Sequence, residues 1–497
     1  MRVRSFFRYV APCASLILCT ATAFAATAAD LDALIAAARS VPAEFSADAL
    51  IRIAALGQLD KDRRIELLEQ AFQKASGAQQ PFKRHAAPLR TDGSAGYWNR
   101  VYSQDLDRLS LRLRAVEAML PLDKGKAREL FLQIPSPDTP RLTCEEFQVY
   151  DVSRFYDLLG VLVQQAYSDS EAESGERFRL LQRYAGAVTT SVQVAPMAHV
   201  LAAAKVSDDE YQKLVGAFGS ALGKVTGDDR SFAYSTGIGR ELLPVVEECK
   251  RRHITPLPLL EAYRVYLVIN LSANRCADDD LMSGGGTTFG VFANQQTEPN
   301  ADFVAFFNEK LRMAPLQPIG ELEATPARLE GVATGLRACE DETCRVIAAR
   351  VRGLFLKPEG GPYLPAEREK PEWQENLRAA ISAVSEWKEN KETGPAEYFR
   401  ERCAAYAELL NVSLNGSGRE PVLHALLSFV NQNGFQATSR MEWFLPVNAL
   451  VGRVGLDPHG LEKFGAELRQ ASDPVVALYA KLEALAPRPP DRVLALL

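Results

Sequence analysis

Histidine, methionine and tryptophan are scarce in this sequence of 497 residues, with five, six and four copies respectively. No His-Glu-x-x-His pattern occurs, so the helical zinc-protease signature is absent. No Gly-x-Ser-x-Gly elbow occurs, which removes a common serine-hydrolase signature. Gly223-Lys224 is followed by Val225, and Phe218 stands where a P-loop needs its first glycine. The glycines of Gly284–Gly290 follow a helical pattern and an acidic turn, where a dinucleotide loop needs a preceding strand. Long apolar runs are missing too. Val265–Asn274 and Trp443–Gly452 are too short to span a bilayer, and Val422–Ser439 contains His424, Asn431, Gln432 and Asn433. There is no basic face of the kind that reads nucleic acid. The one basic cluster, Lys250-Arg251-Arg252, sits late in an expected helix, where it complements the helix dipole.

Strand signals are nearly absent. Thr189–Val194 and Thr287–Ala293 are the only short β-branched or alternating pieces. What is present instead is helical periodicity. Leu106, Leu109, Leu113, Val116 and Leu120 recur at steps of three or four. So do Tyr211, Leu214, Phe218 and Leu222, and Phe399, Cys403, Tyr406 and Leu410. Each set lines one face of a helix. Thr143 with Glu146, and Ser207 with Glu210, fit capping boxes. Asp60 and Ser46 sit where N-caps belong. The helix of Tyr263, Tyr266, Leu267, Ile269 and Leu271 shows little polar surface and is expected to be central. No fixed period or shared repeat consensus is legible. The expected fold is all-α: an irregular, α-solenoid-like array of stacked antiparallel hairpins, about twenty helices, without a significant β-sheet.

The N-terminus carries Arg2, Arg4 and Arg8, then an uncharged apolar run from Val10 to Phe24, then small residues. That layout reads as a secretory signal peptide over 1–28, cut after Ala25 or Ala28. Export to the periplasm or beyond is therefore expected. Without those residues the net charge moves from −6 to −9. The remainder divides into an N-terminal helical segment over 29–134, a central helical domain over 143–275, and a Gly/Asp-rich loop over 276–300. A helical segment over 301–356 and a C-terminal helical domain over 370–497 complete it. Four long connections stand out: Gly77–Ser103, Pro135–Leu142, Cys276–Asn300 and Leu356–Lys370. Long loops in a compact helical protein are functional or mobile.

Candidate chemistry is sparse. His85 lies in a polar loop, His199 in an alanine-rich helix, and His424 and His459 near apolar residues; each reads as structural before it reads as a ligand. Cys249 and His253 are spaced for one helix face, but two ligands do not make a zinc site. Asp278-Asp279-Asp280 lacks the spaced ligands of a calcium loop and reads as a solvated turn. The sequons at Asn270, Asn411 and Asn415 follow from composition, and Asn270 sits on an apolar helix. Neither a cofactor nor a metal is assigned, and no catalytic residue. Glu145, Glu146, Asp151 and Asp157 are one place where paired carboxylates could meet, and equally a solvated helix face.

The cysteines say more. After signal cleavage Cys144, Cys249, Cys276, Cys339, Cys344 and Cys403 remain, an even number in an exported chain. Cys249 and Cys276 fall at opposite ends of one helical hairpin, roughly 25–30 Å apart, too far to bond. Cys339 and Cys344 on one unbroken helix would be roughly 8–9 Å apart, beyond the reach of a disulfide. Asp341 can cap a new helix from Glu342 through Val351, and that break brings the two together. Cys144 with Cys276 is the next pairing, and Cys249 and Cys403 read as buried thiols.

Three readings of function follow. The first is an exported, non-catalytic helical scaffold or binding protein of the cell envelope, whose partner is a protein or an envelope component rather than nucleic acid. The second is a hydrolase-type envelope enzyme with carboxylates between helices. The third is a small-molecule or metal binder. A deep cleft with converging polar groups marks the enzyme, and a broad apolar groove marks the scaffold.

Overall fold

The computed structural model describes residues 28–86, 94–143, 146, 148–225, 227, 229–234, 238–272, 275–276, 299–320, 328–329, 341–389, 394–413, 416–434, 438–452, 456 and 458–485. Helix accounts for 71% of these residues. The chain opens with α1 (Ala28–Ser40), α2 (Ala43–Ala54) and α3 (Lys61–Ala75). A short strand, β1 (Lys83–Ala86), precedes α4 (Ser94–Tyr102), α5 (Arg108–Met119) and α6 (Lys124–Leu132). Aspartates start three of these helices. Asp60, Asp107 and Asp123 accept from the amides of Arg63, Ser110 and Lys126. Each satisfies an N–H the first turn would otherwise leave free.

The central part begins with β2 (Gln148–Asp151), antiparallel to β1. It continues through α7 (Ser153–Gln165), α8 (Asp169–Glu173), α9 (Glu176–Ala185), α10 (Ser191–Ala202) and α11 (Asp208–Leu222). The short α12 (Ser231–Tyr234), then α13 (Ile238–Arg251) and α14 (Leu257–Leu271), complete it. Two-residue strands β3 (Arg275–Cys276) and β4 (Arg328–Leu329) pair in parallel, and α15 (Pro299–Phe306) lies between them in sequence. The last part holds α16 (Glu342–Arg352), α17 (Pro365–Arg368), α18 (Pro371–Glu386) and α19 (Pro395–Val412). It ends with α20 (Gly416–Asn433), α21 (Arg440–Gly452), α22 (Pro458–Arg469) and α23 (Pro474–Leu485). Five of the last seven helices open on proline, whose fixed φ and missing N–H suit a first helical position.

The helices stack pairwise, some with their chain neighbours and some across intervening elements: α2 on α3, α3 on α5, α10 on α13, α11 on α14 and α19 on α20. One hydrophobic cluster runs from Leu31 to Leu482, so the parts share a core. The array also closes on itself, because α1 and α2 pack against α23, and α4 against α21. Phe45 of α2 meets Trp443, Phe444 and Tyr479 at ring-centroid distances of 5.9, 5.0 and 6.3 Å. Buried charges cross the same junction. Glu44 accepts from Arg440 Nη1 at 2.7 Å, and Arg52 Nη2 reaches Glu483 Oε2 at 3.3 Å. Asp48 takes Arg114 Nη2 at 2.5 Å and the Tyr479 hydroxyl at 2.6 Å. Pairing is what makes carboxylates tolerable at this depth.

Several local expectations are corrected. Thr143 and Glu146 do bond, Thr143 N to Glu146 Oε2 at 3.1 Å, but no helix starts there. Gln148–Asp151 pairs with β1 as a strand, which delays the helix to Ser153. Ser46 is not a cap: α2 begins at Ala43, and Ser46 N already bonds Pro42 O at 2.8 Å. Thr189–Val194 is not a strand, because Gln193 folds back on the Thr189 and Thr190 amides at 2.7 and 3.0 Å and starts α10. Gly77–Ser103 contains β1 and α4 instead of being one loop. Leu356–Lys370 contains α17. Tyr263, Tyr266 and Leu271 are buried as expected on α14, but Ile269 is 37% exposed, so that helix keeps a wet edge. The caps at Asp60 and Ser207 are as read. Thr287–Ala293 and Asp278–Asp280 lie outside the described residues. No described helix is long and apolar enough to cross a membrane.

Candidate functional site

A cleft of about 390 Å³ opens where the β1–β2 pair meets α7, α10 and α13. The backbone decides what points into it. His85 sits opposite Val149 in the strand pair, so Asp151, two residues along, is its diagonal neighbour on the same face. Asp151 Oδ1 accepts from Ser153 N at 3.1 Å, which ties the strand end to the first turn of α7. Asp157 lies one helical turn beyond Ser153, and both line the cleft. On α10, Val192, Ala195, Pro196 and His199 recur at helical spacing along the facing wall. Pro196 has no N–H to give the carbonyl of Val192, so this turn of α10 lacks one helical bond. Packed on α10, α13 adds Glu241. Its Oε2 lies 3.6 Å from His199 Nδ1.

Two imidazoles and three carboxylates thus line one cleft: His85, Asp151, Asp157, His199 and Glu241. Desolvation by the surrounding protein raises the Asp157 carboxyl, with Asp151 and Glu117 adding to it and His199 opposing. Desolvation also lowers the His85 imidazole, against the pull of Asp151, although the residue keeps an exposed edge. Such a set can bind cations or polar ligands, or move protons.

Of the carboxylates singled out in the sequence, Asp151 and Asp157 come together here. Glu146 turns instead to Arg84, at 3.4 Å, and Glu145 lies outside the described residues. Sequence reasoning missed both histidines of the cleft. His199 reads as structural in its alanine-rich helix, yet its side chain is 69% exposed. His459 is exposed as well, and His424 bridges Glu467 Oε2 at 2.8 Å. Cys249 and His253 do not share a face, because α13 ends at Arg251 and His253 adopts a φ of 56°. The basic run beside them is spent on pairing: Arg252 bonds Glu248, Asp208 and the carbonyls of Ala204 and Val206.

A second cleft, about 530 Å³ and largely apolar, lies between α16 and α19, with Ile347, Val351, Phe355 and Trp387 in its walls. Asp341 and Cys344 stand at its edge with Glu401, their ligating atoms within 4.8 Å of one another. Cys344 is disulfide-bonded and so offers no thiolate, and Asp341 Oδ1 is engaged by Cys344 N at 2.8 Å as the cap of α16. The cap is the one expected from the sequence. The partner sulfur of Cys344 lies outside the described residues, as do Cys339, Cys144 and the side chain of Cys276. Cys249 and Cys403 are free thiols, the first buried and the second partly so.

No protein-family model, curated protein or solved structure matches this chain.

Proposed function

We propose that this chain is an exported helical binding protein of the cell envelope that holds a small cationic or polar ligand in the cleft between β2, α7, α10 and α13. The observation that carries this reading is the convergence of His85, Asp151, Asp157, His199 and Glu241, from both strands and three helices, on one open space. Three of the five are carboxylates, so the cleft favours cations. Elsewhere the buried carboxylates Glu44, Asp48 and Glu483 are each held by an arginine.

The hydrolase reading has one observation in its favour. Asp157 and His199 line the same cleft, and a carboxyl that its surroundings push upward, as Asp157 is, can serve general acid–base catalysis.

Thermal unfolding with a panel of amines, amino sugars and divalent cations tests binding. At about 100 times its Kd a ligand adds about 2.7 kcal/mol to the folded state. At least one panel member should raise the midpoint of the wild type and leave an Asp157→Asn/Glu241→Gln double variant unmoved. A panel that moves neither protein refutes the reading.

A further inference from the structure

We infer that the apolar cleft between α16 and α19 is a second binding site, separate from the cleft proposed above, and that it takes an amphiphilic amine: an elongated apolar body with an ammonium head. The choice of side chains makes the space. Ile347, Val351 and Phe355 put apolar surface on the α16 wall. Facing them, α19 offers only Ala404 and Ala405 between its two glutamates, and Ala348 is small on the α16 side. A packed helix pair carries larger side chains at such positions and closes the gap. Here the alanines leave about 530 Å³ open, within the range of about 300–1,000 Å³ typical of small-molecule sites. From Glu401 to Glu408 the α19 wall is roughly 10 Å long at 1.5 Å per residue, so the space is a slot.

The walls are fixed before a ligand arrives. The Trp387 carbonyl accepts from the Tyr398 hydroxyl at 2.5 Å and from Arg402 Nη1 at 3.0 Å. Its indole meets the Tyr398 ring edge-on, at a centroid distance of 5.7 Å. Trp373 Nε1 donates to Leu354 O at 3.2 Å and pins the far end of α16 to α18. A preformed pocket of this kind spends little on ordering when it binds. Leu356 lines the cleft yet is 58% exposed, so it offers apolar surface for a ligand body to cover.

Charge selects the head. Glu401 and Glu408 line the slot against one guanidinium, that of Arg352, and Cys344 is disulfide-bonded and carries no charge. Glu408 is exposed and in no ion pair among the described residues. An ammonium at that end gains a partner while the attached body leaves water. A carboxylate head would instead meet two carboxylates.

N-phenylnaphthylamine, whose emission rises in apolar surroundings, tests the site by titration into the full chain and displacement by decylamine, decanol and decanoate. One probe per chain is expected. Decylamine should displace it at a concentration about fivefold lower than decanoate, the scale of one partly exposed ion pair. Ala348→Phe/Ala405→Phe fills the slot and should abolish the rise in emission, with circular dichroism confirming that the helices persist. Glu408→Gln changes only an exposed side chain; it should raise the decylamine concentration needed by about fivefold and leave decanol unchanged. Asp157→Asn/Glu241→Gln should bind probe and decylamine as the wild type does. The inference is overturned if the wild type gives no rise in emission, if the filled variant keeps its helices and binds as before, or if decanoate displaces as readily as decylamine. Loss of decylamine binding in Asp157→Asn/Glu241→Gln would also overturn it, by placing the amine in the first cleft. Failure of the first cleft to bind any ligand leaves the slot untouched.

Discussion

Asp107 carries a charge that the fold opposes, and replacing it by asparagine tests how far burial outweighs capping. The residue is fully buried. Its Oδ1 accepts from Ser110 N at 2.9 Å and so starts α5, while its Oδ2 has no partner. Burial pushes the carboxyl up from 3.8 to about 6, and Asp105 adds to the shift, against the bonds from Ser110 and the charge of Lys83. The folded value exceeds the unfolded one, so between about pH 4 and pH 6 the folded state binds more protons. Stability contributed by this residue is therefore complete at low pH and declines as pH rises through that window. Above it the loss is about 3 kcal/mol, at about 1.4 kcal/mol for each tenfold change.

Asparagine keeps an oxygen for the cap and removes the charge. Its amide places an unpaired N–H₂ where Oδ2 now sits, which costs about 1–2 kcal/mol. The net expectation for Asp107→Asn is a gain of about 1–2 kcal/mol near pH 8, and a loss of about the same size below about pH 4. For a unit this large, unfolding as one body, that corresponds to about 1–2 °C. Differential scanning calorimetry across this range reads it. Parallel midpoints for wild type and variant at every pH would refute the reasoning, because the difference must change sign.

Arg440→Ala leaves buried Glu44 in the closing junction with the Gln79 N–H but without its cation, and should cost about 3 kcal/mol, read as a lowered unfolding midpoint; a change under about 1 kcal/mol would mean the pair is solvated. At Asp48, burial raises the carboxyl, but Arg114, Arg52 and the Tyr479 hydroxyl together outweigh it and hold it below the ordinary 3.8. Its contribution is thus present above that value and lost as pH falls further, so the packed junction of α2 with α23 should open to limited proteolysis only below about pH 4. Non-reducing peptide mapping should recover Cys344 linked to Cys339, with Cys249 and Cys403 alkylated only after unfolding; Cys339 recovered as a free thiol would end that pairing.

The parts of the fold legible in the sequence were those written locally. Ser207 with Glu210, Asp60, and Asp341 with the helix to its C-terminal side are decided within a few residues, by side chains that reach their own backbone. The β1–β2 pair was not legible, because it joins Lys83–Ala86 to residues more than sixty positions away. Each strand is four residues long, and neither has a turn partner beside it. Closure of the array was hidden for the same reason: nothing near Asp48 announces Tyr479. The cleft was half visible. Two of its carboxylates could be named, but His85 and His199 lie on different elements, and only the packing of α10 between the strands and α13 brings them together.

A site built for a ligand should be unnecessary to the fold, and that distinguishes the cleft from the junction. Glu44 and Asp48 are buried and paired, so removing a partner destabilises. Asp151, Asp157 and Glu241 gather negative charge on an open surface, and the nearest imidazole stands beyond hydrogen-bond distance of Glu241. Their mutual repulsion is a small cost that folding alone would not select. The triple variant His199→Ala/Asp157→Asn/Glu241→Gln should therefore unfold at the same midpoint as the wild type or slightly above it. The gain is bounded by about 1 kcal/mol, the scale of exposed charge pairs, with a few tenths more from alanine in a helix. Urea titration of both proteins measures it. A loss of more than about 1 kcal/mol would show that these side chains hold α7, α10 and α13 together, and the cleft would then be a structural joint instead of a seat for a ligand.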